Sequence, residues 1–227
     1  MSISTPGRRA HCPQCLRPAA ACICRCVQPV EHRTQVLLLQ HPMEAAHPKG
    51  TARLLHLCLP LSRMEVGECW PDAPLQSLLH GRWSDALPAP ALTLLLYPPS
   101  PPDPGLPLQV PPPWEMTDLA RLPQDGVLRL VVLDGTWRKS RKMLYLNPGL
   151  QQLPRLPLHE LPQGRYTIRK AHLPGQLSTL EATWAALRQL EPGQDTLDGL
   201  LQAMAGLQQQ YRHWAHGVSG PPGICKT

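Results

Sequence analysis

Two groups of side chains in this sequence have the types and spacing to do chemistry. Cys12-x-x-Cys15 and Cys22-x-Cys24 supply four thiols within thirteen residues, enough for a closed tetrahedral zinc site on short loops. Such a site has no open position and is structural. Cys26 extends the second pair and His11 stands beside the first ligand, so the fourth ligand is ambiguous, with Cys24 preferred over Cys26. Free thiols and an iron–sulfur site are the alternatives. The second group is Asp134-Gly-Thr-Trp-Arg-Lys-Ser-Arg-Lys142, which combines a carboxylate, a glycine that lets backbone approach a ligand, a helix N-terminus and four cations. Each part also has a plainer use. Asp134 or Thr136 can cap a helix, Trp137 can be core, and Arg138, Lys139, Arg141 and Lys142 can form a solvated face. His41, Glu44 and His47 look like a metal triad, but a catalytic zinc there has no evident role, and we assign them no ion.

The elements that must position these groups follow from hydrophobic period. Residues 1–30 carry spaced cysteines and Pro13, Pro18 and Pro29 with little periodicity, so they form a loop-rich module ordered by something other than burial. Thr34 to Gln40, Leu92 to Tyr97 and Val127 to Leu133 are short apolar runs of the kind buried parallel strands need. Gly50 to Leu59 switches to helical spacing, a basic helix follows Asp134, and Tyr166 to Arg169 is a short strand candidate. Ser178-Thr-Leu-Glu181 opens a helix with a capping box, and a last helix runs from about Thr196 to Trp214. Alternation of strand and helix predicts an α/β fold with a mostly parallel sheet. Ligands in such sheets sit beyond the carboxyl ends of strands, here His41-Pro-Met-Glu44, Tyr97-Pro-Pro and Asp134-Gly-Thr-Trp137. The 29 prolines mark where regular structure stops, notably a surface insertion over residues 98–113.

Lys and Arg number 22 against 16 Asp and Glu, and the sequence pI is near 9.0. That excess suits a polyanionic partner. No secretory signal and no run long enough to span a bilayer is evident, so a cytoplasmic protein is expected. In a reducing compartment, clustered cysteines read as metal ligands before disulfides.

Asp134-Gly-Thr-Trp137 resembles the Asp-x-Thr-Trp signature of the DTW-domain family, the tRNA-uridine aminocarboxypropyltransferases. Further segments fall in the family's order: the cysteine pairs, Gln40-His-Pro-Met-Glu44 with Gly50-Thr51, Leu96-Tyr97-Pro98, and Arg169-Lys170 before Leu177-Ser-Thr-Leu-Glu-Ala182. The resemblance covers roughly residues 12–190. It implies a SPOUT-like fold with a trefoil-type knot, and S-adenosylmethionine as co-substrate beside structural zinc. The implied reaction moves the 3-amino-3-carboxypropyl group to N3 of a tRNA uridine, in the variable loop, releasing methylthioadenosine. Asp134 then takes the N3 proton or holds the amino group of the donor. Leu96, Tyr97, Pro98, Gly135, Thr136, Trp137, Arg169, Lys170, Ser178, Thr179 and Glu181 line the donor's site, and Arg138, Lys139, Arg141 and Lys142 meet tRNA phosphates. The implied layout is a zinc knuckle over 1–30, a transferase domain over 31–216 and a tail over 217–227. Oligomeric state is left open. A SPOUT-type RNA methyltransferase and a non-catalytic zinc-knuckle RNA-binding protein are the competing readings.

Overall fold

The structure, a computed structural model, describes residues 10–99, 101–123, 125–158, 166, 168 and 177–215, with only the helical backbone of Trp214 and Ala215. The elements run β1 (Gln35–Gln40), α1 (Pro42–Ala45), α2 (Ala52–Cys58), β2 (Ser62–Val66), α3 (Asp72–His80), β3 (Leu92–Leu96), β4 (Leu128–Asp134), α4 (Trp137–Leu146), α5 (Pro148–Gln151), β5 (Arg155–Leu156), α6 (Thr179–Leu190) and α7 (Gly199–Ala215). The five strands form one sheet in the order β2-β1-β4-β3-β5, and every pairing is parallel.

Period-two alternation divides the core. Val36, Leu38, Leu94, Leu130 and Val132 face α2, α6, α7 and the cysteine-rich segment. Leu37, Leu39, Leu95, Tyr97 and Val131 face α3, α4 and α5. Burial on both faces is why β1 and β4 read as unbroken apolar runs. The cysteine-rich segment shares the first core, since Cys12, Cys15, Ile23 and Val30 pack in it.

The three apolar strands, the α2 and α6 helices and the last helix match expectation. The last helix enters through a 3-10 turn, Asp195–Asp198. β2 and α3 have no clear periodic signal. β2 is an edge strand whose Arg63 and Glu65 pair with each other in solvent, and α3 carries Pro74 in its first turn. Tyr166 and Ile168, the described members of the Tyr166–Arg169 candidate, are not in a strand. The tail 217–227 lies outside the described residues.

Arg129 crosses β4 with no exposure. Its guanidinium donates to Gln35 Oε1 and to the carbonyls of Leu78 and Gly81, and stacks 4.1 Å from the Trp83 ring centroid. It thereby caps the carboxyl end of α3, where carbonyls lack helical partners and the helix dipole favours a cation.

Three histidines, His32, His56 and His80, are held below the usual imidazole value of 6.5, chiefly by burial. His32 uses both ring nitrogens, on the Thr34 carbonyl and the Leu61 amide. Below pH 6.5 the unfolded chain binds these protons before the native one does, so stability falls with acidification through that window. The urea midpoint is expected to drop between pH 7.5 and 5.5, and less so in a His32→Gln variant.

Candidate active site and metal centre

The carboxyl ends of β1 and β4 meet side by side, Gln40 in register with Asp134. The His41 amide donates to the Asp134 carbonyl at 2.9 Å. The Asp134 side chain, 5% exposed, accepts from Gln40 Nε2 on Oδ2 at 2.7 Å and from the Thr179 hydroxyl on Oδ1 at 2.6 Å. These two donors hold the orientation of the carboxylate. Asp134 does not cap α4. Thr136 stands at the N-cap position, and its side chain makes no capping bond. Gly135 permits this tight strand-to-helix turn, because a Cβ there would meet Lys139 Cβ at 3.2 Å.

Thr179 reaches Asp134 because the start of α6 is fastened. Ser178 Oγ accepts from the Glu181 amide, and Glu181 Oε2 accepts from the Ser178 amide, completing the capping box. Glu181 Oε1 takes the Tyr166 amide at 3.0 Å, and Thr51 Oγ1 takes the Leu180 amide at 3.2 Å. Ser178 and Glu181 are therefore spent on backbone and shape the site. Thr179 alone of the three faces Asp134. Gln40 and Thr51 lie in segments whose sequence is distinctive, but their partners are 94 and 129 residues away, so sequence could not assign their roles.

On the opposite face of the sheet rim, Tyr97 follows β3 and is buried, with its phenol raised by that burial. The Trp137 ring, 55% exposed, lies 5.3 Å from the Tyr97 ring at 39°. Leu96 packs at the edge of the core and Pro98 is exposed. Arg169 and Lys170 lie outside the described residues.

The four cations of α4 separate. Lys139 pairs with the buried Glu44 at 2.8 Å. Arg141 pairs with Asp103 at 3.4 Å and donates to the Pro101 and Leu106 carbonyls, holding down the Pro-rich insertion. Lys142 bonds Glu68, which also accepts from His41. Those two contacts, Lys142 first, lower the Glu68 pKa. Arg138 and Lys142 are the exposed pair. His41, Glu44 and His47 do not converge: His47 Nδ1 accepts from the Lys49 amide, while His41 and Glu44 serve Glu68 and Lys139.

The thiols of Cys12, Cys15, Cys22 and Cys24 do converge, with all four sulfurs within 4.8 Å of one another. The Cys12–Cys24 and Cys15–Cys22 separations are 3.5 and 3.8 Å. Tetrahedral zinc with bonds of about 2.3 Å requires sulfurs about 3.8 Å apart, so the donor set fits zinc. Cys26 turns away to Gln210 of α7, and His11 is outside the cluster. The knuckle is anchored to α7 and to the turn before Thr51. Gln210 donates to the Cys22 carbonyl, Arg17 donates to the Gly50 carbonyl and to the Tyr211 hydroxyl, and Tyr211 donates to the Pro48 carbonyl. No described helix is long and apolar enough to cross a membrane.

The DTW domain matches residues 9–212. The chain is 32% identical over 199 residues to tRNA-uridine aminocarboxypropyltransferase 2 of Drosophila melanogaster, covering 84% of this chain and 70% of that one. It is 29% identical over 218 residues to the Mus musculus protein of the same name, covering 90% and 65%. It is 29% identical over 139 residues to tRNA-uridine aminocarboxypropyltransferase A of Arabidopsis thaliana, covering 60% and 51%. The chain thus spans about two thirds or less of the mouse and plant relatives. No solved structure shows significant similarity to it.

Proposed function

The chain belongs to the DTW domain family, and from that premise we propose that it is a tRNA-uridine aminocarboxypropyltransferase of the cytoplasm. The observation that carries the reading is Asp134 of the Asp-Gly-Thr-Trp segment, held on both oxygens at the end of β4. In this reading S-adenosylmethionine supplies an electrophilic methylene activated by the sulfonium. Uridine N3 forms the new bond as the carbon–sulfur bond breaks, methylthioadenosine leaves with the electron pair, and the N3 proton goes to a base. Asp134 is that base, or else it holds the donor's ammonium. Thr136 and the amides near Gly135 take polar groups of the donor. Trp137, exposed and backed by Tyr97, offers a ring face to a base or to adenine. N3 lies on the pairing edge, so the target uridine is unpaired or extruded, as in a tRNA loop such as the variable loop.

Arg169 and Lys170, where the family resemblance puts anion contacts, stay part of the proposal, as does the trefoil-type knot of a SPOUT-like fold. Two features support the knot: β4 inserts between β1 and β3, and the chain passes from the edge strand β5 to an α6 that meets Asp134 at mid-sheet. The layout remains a knuckle over 1–30, a transferase domain over 31–216 and a tail over 217–227.

The deciding experiment incubates the protein with unmodified tRNA and S-adenosylmethionine, then weighs both nucleosides and spent donor. A uridine bearing the aminocarboxypropyl increment, with methylthioadenosine released in step, is expected. A methyl increment with S-adenosylhomocysteine would make it a methyltransferase, and no turnover across several tRNA pools would leave an RNA-binding protein.

For RNA contact we propose Arg138 and Lys142, the two exposed cations of α4. Replacing both with Ala is expected to flatten the log–log salt dependence of tRNA binding by about 1.5, with donor affinity unchanged. An unaltered slope removes them from the interface. Zinc is assigned to Cys12, Cys15, Cys22 and Cys24. Metal analysis should find about one zinc per chain, and a Cys15→Ser variant should lose it and melt at lower temperature. Full stability without metal would rule out the structural role.

A further inference from the structure

Arg155 is the first residue of β5 and pairs in register with Leu95 of β3. Its guanidinium lies 5.3 Å from the centroid of the Tyr97 ring, on the sheet face where Tyr97 meets Trp137. Its Nε and Nη2 are shut off from solvent and have no hydrogen-bond partner among the described residues. Burial lowers its pKa, and the nearby Arg141 guanidinium lowers it further. Two cations are thus gathered there, but they are not alike. Arg141 has the Asp103 carboxylate as counter-ion at 3.4 Å and two carbonyls for its terminal nitrogens, whereas Arg155 has no anionic partner and no acceptor for Nε or Nη2 among the described residues. Arg129, another inward-turned arginine, spends Nε and both terminal nitrogens on carbonyl oxygens. Burying charged donors without acceptors is costly. An arrangement that tolerates the cost at a strand-end site is poised for an oxyanion from outside the chain.

We infer that Arg155 binds the carboxylate of the amino-acid arm of the sulfonium donor. This deepens the aminocarboxypropyltransferase reading and rests on it. The choice of carboxylate follows from access. Donors shut off from bulk solvent suit a small group at the end of a thin chain, which describes the aminocarboxypropyl arm. A phosphodiester has a nucleoside on each side and cannot be inserted so deeply. The donor then lies astride the rim, with its carboxylate on the α4 face at Arg155 and Asp134 on the α6 face. Anchoring the transferred arm by its far end fixes the direction of the methylene nearest sulfur. That makes Arg155 a determinant of which sulfonium carbon meets the nucleophile, since all three are activated.

The test measures binding of S-adenosylmethionine, decarboxylated S-adenosylmethionine and methylthioadenosine to the full chain and to its Arg155→Met and Arg155→Lys variants. The unaltered chain should prefer S-adenosylmethionine over its decarboxylated form by about 10- to 100-fold. Arg155→Met should abolish that preference, leave the other two ligands unchanged, and keep or raise the melting temperature, because an unpaired buried cation has gone. Arg155→Lys should retain part of the preference. Equal weakening of all three ligands with a lower melting temperature would make Arg155 structural and overturn the inference. So would unchanged donor binding with a flatter salt dependence for tRNA, which would assign it to phosphate. Failure of the unaltered chain to bind any of the three would instead sink the underlying transferase reading.

Discussion

Turnover is expected to fall by about 10²- to 10⁴-fold when Asp134 is replaced by Asn, while the melting temperature changes little. The substitution is nearly isosteric and leaves the bonds to Gln40 and Thr179 satisfiable. An Asn oxygen still accepts from Gln40 Nε2, and the Thr179 hydroxyl, which now donates to Oδ1, can rotate to accept from the new amide. What is lost is the charge and the capacity to take a proton. The two proposed roles separate kinetically. If Asp134 is the base, Asp134→Asn lowers kcat with donor affinity intact, and the acidic limb of the rate profile disappears. If it holds the ammonium, affinity for S-adenosylmethionine falls and that for methylthioadenosine does not. Thr179→Val removes one of the carboxylate's donors and should produce a smaller loss in the same direction. Full turnover by Asp134→Asn excludes both roles.

The second large effect is on stability. Arg129 is wholly buried with its pKa lowered from the ordinary guanidinium value to about 10, mainly by desolvation. That interval corresponds to a penalty of roughly 3 kcal/mol for the charged form. The unfolded chain binds more protons than the native one between pH 10 and 12.5, so the penalty applies fully below pH 10 and fades as pH rises through that window. The penalty is offset by hydrogen bonds to Gln35, Leu78 and Gly81 and by the Trp83 face. Arg129→Met relieves the desolvation but takes a charged donor from Gln35 Oε1 and from the Leu78 and Gly81 carbonyls at the end of α3, of which Leu78 keeps the Trp83 indole N–H. A net destabilisation of about 2–5 kcal/mol is expected, read as a lower urea midpoint with an unchanged slope. A variant as stable as the parent would show that the α3 end has other partners. Donor binding per folded molecule should be unaffected, because Arg129 sits below the rim.

Much of this was readable from one dimension because it is local. The apolar runs of β1, β3 and β4 declare burial on both faces, the Ser178–Glu181 box declares a helix start, and the cysteine spacing declares a tetrahedral donor set. Each depends on residues within a few positions of one another. Edge strands and Pro-interrupted helices escaped because an edge needs only half a hydrophobic face, as Arg63 and Glu65 of β2 illustrate, and β5 is two residues between Pro154 and Pro157.

What the sequence determined by itself was the chemistry available: a carboxylate after a buried strand, an aromatic and cations behind it, four thiols at ligand spacing, and membership in a family. What only the tertiary structure decided was the use of each group. Asp134 is bonded to Gln40 and Thr179 from elements far apart in the chain. Lys139 and Arg141 go to Glu44 and Asp103 rather than to solvent, Cys26 goes to Gln210 rather than to the thiol cluster, and Arg155, inconspicuous in the sequence, comes to rest beside the Tyr97 ring with two nitrogens that meet no acceptor among the described residues. The physical reason is the same in each case. A side chain's type sets which bonds it can form, whereas burial and partner geometry decide which of them it does form, and both depend on contacts that chain order does not encode.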